Sequence, residues 1–522
     1  MRARTWLGVV LAAPLALLPA APVAAAPART PIEHFVYLMQ GDRTFDNYFG
    51  TYPGADGLPD GTCQAVDLTR SDRGCVRPYP LHGKQPPVLD PGRSIVEAQV
   101  GDGAMNAFVA AYTRQGRDGA GVMGYYDEQD LPYYWEAADR YVLFDRFFAS
   151  AAYGIRQNRS YWVAGAPPPG GGDRVPPGGY GDQVTIFDRL QAAGVSWKFY
   201  VQDYNPAETF RAASDVDPAA QSVRVPLLNY ARFLDDPALR GRIVDLSEYH
   251  RDLDQGTLPA VAYVASSGSS ERSARSLTSG QRLVRDMVTQ LQLSQYWKRS
   301  AFLWSYDGSG GWYDHVTPPK VADRRLGLRV PALLVSPYVA EGRVDHTTLD
   351  ATSALRFIEE NWGLQPVGER RGPTASLAAA FDLTAPPREP AVLGIGPAPS
   401  ALVRVDVAPV YGFYGGAMVL VLGVFIFAAA RGARAPGVPD AIGVPDTSGV
   451  SNASDVPDVP DVPDVPDVPD ASDATDASDV PDATDVPAAS GVPDASGASD
   501  AAGSPDSTGA SDAPETTAEA VV

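Results

Sequence analysis

Ile32-Glu33-His34-Phe35-Val36-Tyr37-Leu38-Met39-Gln40-Gly41-Asp42-Arg43 is the stretch on which the fold is decided. The run from Phe35 to Met39 is apolar without alternation, the pattern of a parallel strand buried on both faces. A polar turn containing glycine follows it at once. Two runs further along repeat the arrangement, Phe302-Leu303-Trp304-Ser305-Tyr306 and Ala332-Leu333-Leu334-Val335. Helical patterns lie between such runs, at Leu131 to Ala138, Gln281 to Trp297 and Thr352 to Trp362. Strands alternating with helices predict an α/β domain with a central, mostly parallel sheet flanked by helices. Ligands in such sheets bind beyond the carboxyl ends of the strands, so the polar residues directly after each apolar run are where chemistry is expected.

Working outward, the chain of 522 residues divides into four segments. Residues 1–26 combine Arg2 and Arg4, an apolar run from Leu7 to Leu18 and small residues through Ala26, which predicts a secretory signal peptide. The α/β domain is expected over 31–396. Residues 410–430 contain no charged side chain and match the length of a membrane-crossing helix; Arg431 and Arg434 follow directly. Arginines at that end predict a single span with the domain outside the cytoplasm and the tail inside. Residues 435–522 hold 17 Asp, 2 Glu and no Lys or Arg, with a strict Asp-Val-Pro repeat from Asp455 to Asp470. Proline at every third position blocks a helix and like charges repel, so this acidic tail is expected to be disordered and extended. It is read either as a spacer or docking segment for an unknown partner or as a solvated tail without specific role. The tail accounts for nearly all of the net charge of −21, so the acidity says nothing about a ligand of the domain. No nucleic-acid partner is expected. The two cysteines, Cys63 and Cys75, are expected to form one disulfide in an exported chain, stabilising by about 3 kcal/mol through loop closure.

Three segments that follow strands carry a resemblance. Gln40-Gly41-Asp42-Arg43-Thr44-Phe45-Asp46-Asn47-Tyr48-Phe49-Gly50 resembles the opening signature of the bacterial phosphoesterase family of phospholipases C and acid phosphatases. Asp145-Arg146-Phe147-Phe148 through Asn158-Arg159 is similar to its nucleophile segment. Tyr306-Asp307-Gly308 through Asp314-His315-Val316-Thr317-Pro318-Pro319 resembles its later metal-binding block. Further matches at Arg329-Val330-Pro331-Ala332 and Ser353 to Gly363 keep the family's order. The resemblance implies an alkaline-phosphatase-like fold and hydrolysis of phosphate esters. It also implies a divalent metal held by a Glu-Asn pair and an Asp-Glu pair beside an attacking Thr or Ser. A dication offsets the charge of an anionic ester and lowers the pKa of the attacking hydroxyl.

Residue by residue, that site is incomplete. Gly41 stands where the family has Glu, and Asp42 follows it as a surviving oxygen ligand. Ile155 stands at the nucleophile position. Asp307 is kept, but Gly308 replaces the second acid. Asp314 and His315 match, as a helper of the phosphate site or as a pair that fixes the loop. Asp42 and Asp307 are thus the only carboxylates for a weak metal site, with no cofactor expected unless an active, rearranged metal site persists. Arg93 and Arg272 stand where the family has histidine, while Arg43 and Arg159 match it. The four arginines are candidates to grip a phosphate ester or lipid headgroup, against a reading as ordinary ion-pair partners. The expectation is a membrane-anchored, extracytoplasmic member of the family with impaired catalysis. Its alternative is an active hydrolase of phospholipids or other phosphate esters. Ser150 is set aside as a displaced nucleophile, and Tyr125, Tyr126, Tyr133, Tyr134 and Trp135 are read as packing or as a cup for a choline-like cation.

Overall fold

The computed structural model describes residues 25–392 apart from 84–88, 90, 172–173, 213–219, 273–275, 322–323 and 369–374. The expected signal peptide up to residue 24, the apolar segment 410–430 and the acidic tail 435–522 lie outside the described residues. Among the described residues no helix is long and apolar enough to cross a membrane.

Eight strands form the central sheet: β1 (His34–Gln40), β2 (Val142–Phe144), β3 (Trp197–Val201), β4 (Ile243–Asp245), β5 (Val261–Ala265), β6 (Ser300–Tyr306), β7 (Ala332–Val335) and β8 (Arg343–Asp345). Their spatial order is β8-β2-β7-β6-β1-β5-β3-β4. β1 lies in the middle, its Phe35–Met39 paired in parallel with Val261–Ala265 on one side and with Ala301–Ser305 on the other. The side chains of this run are all buried, as its unbroken apolar character requires. The expected parallel strand at Ala332–Val335 is a correction: β7 runs antiparallel to both β6 and β2. An apolar run reports burial but not direction. Because β7 returns beside β6 without a crossover, the connection from β6 to β7 begins and ends at the carboxyl end of the parallel strands.

The helices named below are α1 (Phe45–Phe49), α2 (Arg93–Val100), α3 (Pro132–Arg140), α4 (Ile155–Ala164), α5 (Ile186–Ala192), α6 (Ser247–Gln255), α7 (Leu277–Leu293) and α8 (Ala351–Trp362). α7 starts before the expected Gln281 and stops before Trp297, which belongs to a separate 3₁₀ turn. α8 opens on a reciprocal cap in which Asp350 accepts from Thr352 N–H and Ser353 reaches back to the Asp350 N–H. It closes at Gly363, whose φ of 65° is left-handed. The Cys63–Cys75 disulfide, with a Cα–Cα distance of 5.6 Å, staples a small antiparallel ladder of Gln64–Ala65 with Cys75–Val76. At the amino end of the strands, Trp297 Nε1 donates to Arg388 O at 2.9 Å and Gln292 donates to Ala391 O at 3.0 Å. Residues 388–391 are therefore tied to the pole opposite the ends of β1 and β6.

Candidate functional site

β1 and β6 end side by side, and each delivers a carboxylate. The Asp42 N–H donates to Asp307 Oδ1 at 3.3 Å, and the Asp307 N–H donates to Gln40 O at 3.1 Å. Asp42 sits at φ 62°, a left-handed conformation that aspartate tolerates at some cost and that tends to collect at functional positions. Each acid is held by a guanidinium. Arg272 Nε lies 2.6 Å from Asp42 Oδ2, and Arg159 Nε lies 2.7 Å from Asp307 Oδ2. Arg159 projects from α4 and is itself buried, spending its other nitrogens on Arg224 O at 2.8 Å and Met39 O at 3.3 Å. Burial pushes the Asp42 carboxyl above its usual range; Arg272 opposes that and the charge of Asp307 adds to it.

The substituted positions face this pair of acids. A Cβ on Gly41 would lie 3.5 Å from Asp307 Oδ1 and 3.6 Å from Arg272 Cβ, and one on Gly308 would lie 3.8 Å from Asp42 Oδ1. Ile155 is the first residue of α4, one turn before Arg159 and on the same helical face, and brings no hydroxyl there. The Ser150 hydroxyl, five residues earlier, is buried and has no hydrogen-bond partner. A hard dication needs an oxygen shell of about six. Here two carboxylates are available, both neutralised by guanidinium groups, and the two neighbouring ligand positions are glycines. The site does not fit the divalent metal that the resemblance implies.

Arg43 turns inward, its Nε donating to Tyr48 Oη at 3.0 Å and its Nη1 to Asp42 O at 2.8 Å, with the rings of Tyr48 and Trp312 at 5.6 and 5.4 Å. Arg93 opens α2 on the exposed side, 5.4 Å from the Tyr153 ring. Through Gln99, which donates to Gly311 O at 2.9 Å, α2 is seated on the loop that follows β6.

Sequence reasoning passed over Glu271, which is fully buried beneath the ends of β1 and β6. Its carboxylate accepts from Tyr48 Oη at 2.6 Å, Tyr306 Oη at 2.8 Å, Gln40 Nε2 at 3.3 Å and the Tyr134 hydroxyl. Burial raises its pKa, against the pull of the three hydroxyls. Tyr134 and Tyr126, set among the aromatics weighed for packing or a cation cup, are buried, with Tyr126 edge-on to Tyr48 at 5.8 Å. Tyrosines at such spacings look like ordinary core in a sequence, and only the fold shows that three converge on one acid.

Asp314 and His315 belong to a second, separate centre built on Arg329, which is wholly buried. Arg329 Nε donates to Asp314 Oδ1 at 2.9 Å and Nη2 to Asp46 Oδ1 at 2.8 Å, while Nη1 donates to Asp56 O at 2.7 Å and Asp145 O at 2.9 Å. His315 Nδ1 lies 2.7 Å from Asp46 Oδ2 and its Nε2 lies 3.2 Å from Asp56 Oδ1. Burial lifts the Asp314 carboxyl to about 6 despite Arg329. Asp46, Asp314 and His315 have the spacing of a metal cluster, but the guanidinium of Arg329 already stands against both acids. A third group, His82 with Asp127 and Asp130, lies on the periphery.

The sheet and the position of these groups define an α/β protein whose polar residues gather beyond the carboxyl ends of parallel strands. A profile described as the Phosphoesterase family matches residues 32–365, and the chain belongs to that family. Among curated relatives it is 29% identical to phospholipase C A of Mycobacterium tuberculosis over 433 residues, covering 69% of this chain and 78% of that protein. It is 26% identical to the non-hemolytic phospholipase C of Pseudomonas aeruginosa, covering 69% and 58%. It is 28% identical to the non-specific phospholipase C1 of Arabidopsis thaliana, covering 63% and 64%. A solved structure of a protein in the alkaline phosphatase superfamily from Vibrio parahaemolyticus is 11% identical, with a TM-score of 0.35 over 70% of this chain and 73% of that one.

Proposed function

We propose that the chain is a membrane-anchored, extracytoplasmic, phospholipase C-like member of the phosphoesterase family that no longer hydrolyses its ester. The observation that carries this reading is the pairing of Asp42 with Arg272 and of Asp307 with Arg159, beside Gly41, Gly308 and Ile155. Single catalytic groups contribute on the order of 10²–10⁴ in rate, and here several that act as a unit are missing together. The phospholipase C names of its relatives supply the ligand class, a phosphate ester or lipid headgroup. Arg43 and Arg159 are consumed internally and Arg272 holds Asp42. Of the four arginines Arg93 is the exposed one, and an anionic headgroup would meet it first. The span over 410–430 and the acidic cytoplasmic tail complete the proposal from sequence.

Assays with phosphatidylcholine, p-nitrophenyl phosphate and bis-p-nitrophenyl phosphate, in the presence of magnesium, calcium, manganese or zinc, test it. The expected result is release at the background rate. Turnover that stops on chelation and is lost in Asp307→Asn would restore the alternative, an active hydrolase with a rearranged metal site.

A further inference from the structure

The geometry points to Arg272 as the resident cation of the strand-end site, a side chain standing where a divalent ion would otherwise be drawn and excluding it. This inference rests on the reading of the site as metal-free. Asp42 and Asp307 are close enough to share a hydrogen bond through the Asp42 backbone, an arrangement of like charges that positive charge must offset. Arg272 provides it on one side at 2.6 Å, and Arg159 on the other at 2.7 Å. Arg159 is woven into backbone carbonyls, whereas Arg272 arrives from a loop, so the means by which that loop is held decide whether its charge stays.

Among the described residues, several tethers hold it to the ends of β1 and β6. The Gly41 N–H donates to Ser270 O at 2.9 Å, the Ser266 hydroxyl donates to Gln40 Oε1 at 2.5 Å, and the carboxylate of Glu271 is anchored by three tyrosines. Glu271 sits at φ 62°, a conformation that glutamate seldom adopts, and the anchoring offsets that strain. Gly280 on α7 leaves room for it: a Cβ there would fall 2.1 Å from Glu271 Cγ. Gly41 lies directly beside Arg272: a Cβ there would meet the Arg272 Cβ in ordinary van der Waals contact at 3.6 Å. Gly280, Glu271 and Arg272 thus form one device: Glu271 is the positioning residue and Arg272 the charge it presents. Removing the guanidinium leaves Asp42 without its counter-charge beside Asp307, and such an uncompensated acid next to a second carboxylate recruits a hard or borderline dication.

Titration of the full-length chain with Mn²⁺, followed by the paramagnetic signal of the free ion and by thermal unfolding, provides the test. Wild type and Arg272→Lys are expected to show no saturable binding. Arg272→Ala and Arg272→Gln are expected to gain one site with a dissociation constant on the order of 10⁻⁴–10⁻³ M, and an upward shift of Tm with Mn²⁺, the range of weak oxygen-ligated sites. The gain should vanish in the double variant Arg272→Ala/Asp42→Asn. A folded Arg272→Ala or Arg272→Gln that binds no Mn²⁺ overturns the inference. So does wild type that binds Mn²⁺ in a manner lost on Asp307→Asn, a result that needs no substitution at Arg272. Metal binding by wild type without hydrolysis would sink this inference alone, while metal-independent hydrolysis would sink the proposed loss of activity and leave Arg272 in its place.

Discussion

Arg329 has no exposed surface, and it holds Asp46 and Asp314 together while bonding two backbone carbonyls. Taking away one member of a buried ion pair strands the others without compensation, which costs roughly 3–5 kcal/mol. Arg329→Met is therefore expected to lower the unfolding free energy by about that much in urea, with hydrophobic replacement of all three partners costing far less. His315 beside it titrates with a definite sign. Burial lowers its pKa, but the hydrogen bond and charge of Asp46 outweigh burial and the repulsion of Arg329, so the folded imidazole keeps its proton above the usual 6.5. Above that value the folded chain binds more protons than the unfolded one, and stability falls as pH rises toward the folded pKa. Asp314, lifted to about 6, contributes with the same sign at lower pH. Urea unfolding at about pH 6 and about pH 8 should show a loss that is smaller in His315→Asn; an unchanged loss would refute the assignment. At this scale the sequence exposed identities but not pairings. Gly41, Ile155 and Gly308 are visible as substitutions because each occupies a motif position. The meeting of Arg272 with Asp42, or of Glu271 with Tyr48, Tyr134 and Tyr306, depends on contacts across long separations that no local pattern encodes.

Among the elements, β1 and β6 were readable because an unbroken apolar run followed by a polar turn has one economical solution, a buried strand with its functional residues at the exit. β7 has the same composition and the opposite direction, since direction is set by the connection and not by the run. α7 differs from the expected Gln281 to Trp297 at both ends: it begins at Leu277, with Gly280 a helical position kept small by Glu271, and Leu293 ends it short of Trp297. For α8 the expected Thr352 to Trp362 and the observed Ala351–Trp362 differ by one residue, and the structure shows the helix opening on the Asp350 cap. Asp350 also meets Arg324 at 3.1 Å. Asp350→Ala removes the acceptor for the Thr352 N–H, and about 0.5–2 kcal/mol of stability should be lost, measured by thermal or urea unfolding; Asp350→Ser should recover part of it.

For the whole molecule, charge is distributed by segment. Residues 435–522 carry 17 Asp and 2 Glu of a chain whose net charge is −21 and whose isoelectric point is near 4.6. A chain ended after Arg434 should focus much closer to neutrality, and isoelectric focusing of the two forms checks it. The family assignment was readable because ordered motifs spread over several hundred residues are hard to meet by chance, and residues 32–365 match it. Whether chemistry survives is a local matter that overall similarity does not weigh.

The ties of Arg388 and Ala391 to Trp297 and Gln292 give the domain two distinct poles. Any handle grafted after Val392, whether a fluorophore, an affinity tag or a bead for force measurements, begins on the face remote from Asp42 and Asp307. Such a graft therefore offers a way to hold the protein by its back while its mouth is interrogated.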